Sequence, residues 1–147
     1  MKTRTFTLDQ IESLVRDMLP LFNQYSIVAF YGPLGIGKTT IIKEILKQSG
    51  VQEQVTSPTF GYVNTYTNAD GQSFNHFDLY RITTLEQFIN AGFDEYLSRS
   101  KTISFIEWPE VIAPLLSDGL FDKDVVCFFL KYDLEDISQR LISCDRW

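Results

Sequence analysis

Apolar positions along this chain repeat at two spacings, and the alternation between them gives an element order. TLDQIESLVRDML puts Ile11, Leu14, Val15, Met18 and Leu19 on one stripe at helical spacing. Thr7 and Gln10 stand before it as the two halves of a capping box, and Pro20 kinks or ends the helix. Ser26 to Tyr31, SIVAFY, is apolar without alternation, as in a strand buried on both faces. Ile41, Ile42, Ile45 and Leu46 mark one face of a second helix, stopped near Gly50. Tyr62 to Thr67 and Phe74 to Asp78 are strand-like and flank the turn formers Asn68, Asp70 and Gly71, which predicts an antiparallel hairpin.

TTLEQFINAGFDEYL predicts a further helix, with Thr84 and Gln87 as a second capping box. TISFIE and VVCFFLKYD are short apolar runs that predict buried strands, and the tail can add one more. The order helix, strand, loop, helix, hairpin, helix, strand, strand predicts an α/β fold, a mixed sheet with helices on both faces. At 147 residues and 44% hydrophobic content the chain suits a single domain, 1–147, with a real core.

Charge narrows the function. A net charge of −6 and a pI of about 4.7 disfavour broad adhesion to nucleic acid or to an anionic membrane. The aromatic residues read as core packing. Cys127 and Cys144 show no metal-ligand or redox spacing and read as reduced thiols. No apolar run reaches bilayer length, and MKTRTFTLDQ carries no apolar signal region, so a cytoplasmic protein is expected.

Candidate chemistry sits between the first strand and the second helix. Gly32-Pro33-Leu34-Gly35-Ile36-Gly37-Lys38-Thr39 fits G-x-x-x-x-G-K-[ST] in full, with a strand before it and a helix after it. Glycines let the backbone close on phosphate oxygens and turn successive N–H groups inward. The helix start adds unpaired amides and the positive end of its dipole. Gly35, Ile36, Gly37, Lys38, Thr39 and Thr40 are therefore the expected phosphate cradle. In it, Lys38 reaches the β- and γ-phosphates, the Thr39 hydroxyl ligates Mg2+, and Thr40 meets the α-phosphate.

Phosphoryl chemistry also needs a carboxylate near the metal and a group that positions the nucleophile. Asp78 and Glu107 each end an apolar run. Glu107 is well placed if its strand is parallel; Asp78 depends on which way the hairpin strand runs. Thr59, in the TSPTF stretch, is placed by analogy with nucleotide switches to sense the γ-phosphate. Arg81 can neutralise phosphate charge or pair with Asp78. His76, the single histidine, reads as a satisfied structural group. The chain has no NKxD or DxxG segment, no arginine-rich lid and no LSGGQ-like segment, which argues against a Ras-like GTPase, a nucleoside-monophosphate kinase and a transport ATPase.

GPLGIGKTT, TSPTF, HFDLYR and EWPE, in that order from Gly32 to Glu110, resemble the TsaE family of P-loop ATPases in threonylcarbamoyladenosine modification of tRNA. Pro33 and Ile36 depart from the family's usual residues, both at variable positions of the cradle. The resemblance implies ATP and Mg2+ as cofactors, with Thr39 and Glu107 as metal contacts. Asp78 and Thr59 carry over as the hairpin-strand acid and the switch-like threonine. It places adenine near Thr7 and Leu8, and Trp108 beside the site. It further implies an ATPase that binds a TsaD–TsaB pair, sustains its turnover and touches tRNA at most indirectly. Two other readings stay open: a small-molecule kinase with Asp78 as base, and a nucleotide-gated binding module.

Overall fold

The computed structural model describes residues 1–118 and 125–147. Its centre is β2 (Ile27–Tyr31), the strand that leads into the glycine-rich stretch. Both faces of β2 are buried. Val28 and Phe30 join one apolar cluster, Ile27 and Ala29 the other, so the uninterrupted apolar run is what such a strand requires.

On the first face lie α1 (Ile11–Met18) and α2 (Lys38–Gln48). The apolar stripe of α1 meets Ile41, Ile42 and Ile45 of α2 in one cluster. The Gln10 carboxamide accepts from the Thr7 amide at 3.0 Å, which is the return half of the expected capping box. The helix is shorter than expected. Residues Leu8–Gln10 and Leu19–Asn23 wind as 3-10 turns on either side of it, the second around Pro20.

The second face holds α3 (Leu85–Asn90), α4 (Asp94–Leu97) and α5 (Ala113–Ser117). The single helix expected over TTLEQFINAGFDEYL is two. Gly92 takes φ 76°, a left-handed conformation that ends α3. Thr84 caps α3, its hydroxyl accepting from the Gln87 amide at 3.2 Å. The Gln87 side chain returns to Thr83 and not to Thr84, so the second capping box is only half present.

One seven-stranded sheet runs β1-β7-β6-β2-β5-β4-β3. Here β1 is Lys2–Phe6, β3 Val63–Thr67, β4 Ser73–Asp78, β5 Thr102–Glu107, β6 Val125–Tyr132 and β7 Arg140–Cys144. β6, β2, β5 and β4 are mutually parallel, and β3 closes the expected hairpin antiparallel to β4. Sequence pattern misses β1 altogether. Its KTRTF is polar and mostly exposed, and only its pairing with β7 makes it a strand.

β4 is both the return arm of the hairpin and a parallel neighbour of β5. Asp78 and Glu107 therefore pair in register at the same end of the sheet as the β2 exit. Ligands of open α/β sheets collect at that end.

Phe77, directly before Asp78, is fully buried, with ring centroids 6.0, 5.9 and 5.9 Å from Phe88, Phe93 and Tyr96. Phe77→Ala is expected to cost about 3–5 kcal/mol. Urea unfolding checks this, and a loss below about 1 kcal/mol would contradict the packing described.

Candidate functional site

The turn from β2 to α2 is shaped by close approach. Gly32 has φ 150°, and a Cβ there would stand 2.8 Å from the Leu130 carbonyl oxygen of β6. Gly35 and Gly37 take φ 77° and 109°, conformations that side chains disfavour. α2 starts at Lys38, so the amides of its first turn have no intrahelical acceptor. These amides border a cleft of about 230 Å3 that runs from Leu34 to Thr40 and is closed by Asp78, Tyr80, Glu107 and Trp108.

Lys38 is 4% exposed although it carries the cation of the cleft. Its Nζ donates to the carbonyls of Gly32 and Pro33 at 2.6 and 2.9 Å and sits 3.9 Å from the Trp108 ring centroid. Burial pushes the ammonium below its ordinary range, while the carboxylates of Glu107, Glu110 and Asp78 act the other way. Trp108 adopts φ 57°, left-handed for a bulky residue, and its ring lies 4.9 Å from Tyr80. The strained turn directly after β5 lays that ring across the lysine.

Glu107 ends β5 and is 3% exposed. The Thr39 hydroxyl stands 2.7 and 2.9 Å from its two carboxylate oxygens, joining positions 68 residues apart. His76 Nε2 lies 2.7 Å from Glu107 Oε1, and His76 is wholly buried. Its Nδ1 has no partner among the described residues. A bare acceptor is tolerated there better than an orphaned donor, so the fitting tautomer keeps its proton on Nε2 and donates it to Glu107. The role expected of His76, a satisfied structural group, is thus narrower than its position: it touches the very carboxylate that meets Thr39. Sequence spacing hinted at this, because His76 and Asp78 share a strand face, but the partner strand was needed to show it.

Asp78 lines the same cleft, and its Oδ1 accepts from the Tyr80 amide at 3.1 Å. Thr39 hydroxyl and Glu107 carboxylate are hard oxygen donors facing a cradle of amides. That set suits Mg2+, which keeps several waters and shares its shell with phosphate oxygens.

The other expected residues lie around this centre. Thr59 lines an adjoining cavity of about 220 Å3 with Tyr62, Arg81 and, shared with the main cleft, Asp78 and Tyr80. Arg81 forms no ion pair with Asp78 among the described residues. Leu8 is half exposed, with its Cδ2 3.6 Å from where a Cβ on Gly37 would stand, and Thr7 precedes it. Arg140 was not anticipated; its Nε donates to the Ile36 carbonyl at 3.1 Å from β7. A larger hollow of about 690 Å3 opens at the far end of the sheet, with Arg99 and Lys101 on its wall. Both side chains are exposed, and none of the motif residues reaches it.

Known proteins resemble this chain in sequence and in shape. The sequence model of the family described as threonylcarbamoyl adenosine biosynthesis protein TsaE matches residues 5–139. Three similar proteins bear the name tRNA threonylcarbamoyladenosine biosynthesis protein TsaE. One, from Rickettsia conorii, is 33% identical over 78% of this chain and 64% of its own length. The Treponema pallidum protein is 34% identical over 67% and 70%, respectively. The Haemophilus influenzae protein is 37% identical over 63% and 58%. The matches thus span roughly two thirds of the curated relatives' length, 64% and 66% for two from Rickettsia. In shape the chain is similar to the crystal structure of YdiB from a Bacillus, with TM-score 0.66 and 21% identity over 97% of this chain and 84% of that one.

Burial raises the Asp78 carboxyl above its ordinary range, and the charge of Glu107 adds to the rise, against the opposing Tyr80 amide. The folded protein therefore holds that proton more tightly than the unfolded chain. The fold loses stability as pH rises through the raised value. Asp78→Asn removes the cost, so it is expected to raise the thermal midpoint at pH 8. The gain shrinks as pH falls into the ordinary carboxylate range. A midpoint at pH 8 that is unchanged or lower would contradict this.

Proposed function

The chain belongs to the TsaE family, and on that premise we propose that it is a Mg2+-dependent ATPase that supports threonylcarbamoyladenosine modification of tRNA. Its output reaches the modifying enzymes through contact with a TsaD–TsaB pair, in the cytoplasm, and it touches tRNA at most indirectly. A net charge of −6 supports a protein partner over direct grip on a polyanion. Among the described residues, no helix is long and apolar enough to cross a membrane. The observation that carries the reading is the Thr39–Glu107 contact at 2.7 Å, which sets a hydroxyl and a carboxylate against the mouth of a glycine-rich phosphate cradle.

In this reading the amides of Gly35 to Thr40 bind the phosphates, with Thr40 nearest the α-phosphate. Lys38 leaves the Gly32 and Pro33 carbonyls for the β- and γ-phosphates, a short swing that exchanges two neutral acceptors for charged ones. Thr39 and Glu107 hold Mg2+, which when bound neutralises the charge that develops on the transferred phosphoryl group. His76 keeps Glu107 turned toward Thr39 by donating to Oε1. Asp78, its carboxyl pushed above the ordinary range by burial, orients the attacking water or the Thr39 side of the site. Thr59 senses the γ-phosphate from the adjoining cavity, Leu8 and Thr7 flank the adenine, and Trp108 shields Lys38 from solvent.

A phosphotransferase reading draws support from that adjoining cavity, which shares Asp78 with the cleft and has room for a small acceptor. Labelled ATP separates the two: free phosphate alone favours hydrolysis, and a labelled metabolite favours transfer.

Lys38→Ala is expected to abolish nucleotide binding in calorimetry, because it removes the mobile cation of the cradle. Glu107→Gln is expected to retain nucleotide binding and to lower hydrolysis about 10–100-fold. Formation of threonylcarbamoyladenosine on tRNA, reconstituted with the enzyme pair and each variant, reads the function itself. Wild-type turnover in both variants would remove the site assignment.

A further inference from the structure

A loop that turns its amides toward a phosphate turns the matching carbonyls away, and each of those carbonyls needs its own donor. Gly32 O and Pro33 O are met by the Lys38 ammonium, and Gly37 O by the Ile41 amide. Ile36 O is met from 104 residues along the chain, by Arg140 Nε at 3.1 Å. Arg140 is itself held in place. Its backbone stands in register with Phe6 of β1 and Tyr132 of β6, its Nη1 donates to Ser138 O at 3.1 Å, and its guanidinium lies 5.8 Å from the Tyr132 ring centroid. Among the described residues no carboxylate pairs with it, so its charge is not cancelled at close range.

The carbonyl of Ile36 and the N–H of Gly37 belong to one peptide unit. A cation bound to the oxygen of that unit polarises it and makes its N–H a stronger donor on the opposite side. It also fixes the unit's orientation, which a left-handed glycine would otherwise leave free to rotate.

We propose that Arg140 is a positioning residue of the phosphate loop: its contact with Ile36 O aims the Gly37 amide into the cradle and strengthens its grip on phosphate. This rests on the reading that the loop holds a polyphosphate. It adds a group that lies one position beyond the stretch matched by the family model. Lys38 and Arg140 divide the work. The lysine leaves its carbonyls when phosphate arrives, whereas the arginine stays behind the loop.

The test is calorimetric titration of ADP and of inorganic pyrophosphate into the wild type, Arg140→Met, Arg140→Gln and Arg140→Lys, with thermal melting of each free protein. Arg140→Met is expected to weaken both ligands by the same factor, about tenfold, as for loss of one charge-assisted hydrogen bond. In ATP hydrolysis the KM rises accordingly and kcat changes little. Arg140→Lys binds better than Arg140→Gln, because it keeps the charge. A folded Arg140→Met with unchanged affinity for both ligands overturns the proposal. If Arg140→Met does not fold, equal affinities of the Lys and Gln variants overturn it. A wild type that binds neither ligand overturns the nucleotide reading itself, and this proposal with it.

Discussion

A carboxylate buried at the end of a central strand organises the whole cleft. Glu107 is almost out of reach of solvent, and an unpaired charge there would cost several kcal/mol. The fold meets that cost with the Thr39 hydroxyl on one side and the His76 ring on the other. Each partner comes from a different element: Thr39 from the first turn of α2, His76 from the middle of β4. The strand order β2-β5-β4 is what lets these elements converge on one side chain.

The cradle obeys the same accounting from the backbone side. Amides aimed at a ligand leave carbonyls aimed away, and Lys38, Arg140 and the Ile41 amide meet them. Lys38 is the one loosely committed member. Its ammonium is buried, rests on two neutral carbonyls and is covered by the Trp108 ring, so a phosphate oxygen offers it a better partner. Tyr80 and Trp108 form an aromatic wall on the other side of the cleft, reached through a left-handed turn at Trp108. Strain at such a turn is held by the packing around it, in keeping with its place directly after Glu107, which lines the cleft.

The sequence model of the TsaE family covers 135 of 147 residues, counting 5 to 139. Under the function proposed above, ATP binding at this cleft would change the shape of a surface that a protein partner reads. Asp78 belongs to both the cleft and the neighbouring cavity with Thr59 and Arg81.

Residue pattern alone determined the phosphate loop, because glycine, lysine and threonine at fixed spacing between a strand and a helix encode local backbone geometry. It also determined β2, β5 and β6, whose apolar runs have no other use in an acidic chain, and the hairpin, whose turn formers sit between two alternating stretches. Only tertiary structure decided the rest. β1 is polar and becomes a strand through β7; Gly92 splits one expected helix through a conformation that periodicity does not report. The direction of β4, and hence the place of Asp78, depended on its parallel pairing with β5. His76 on Glu107 and Arg140 on Ile36 join positions 31 and 104 residues apart, and separations of that kind are set by strand order. Local sequence encodes local conformation; which distant side chains share a carboxylate or a carbonyl is settled by how the strands pair.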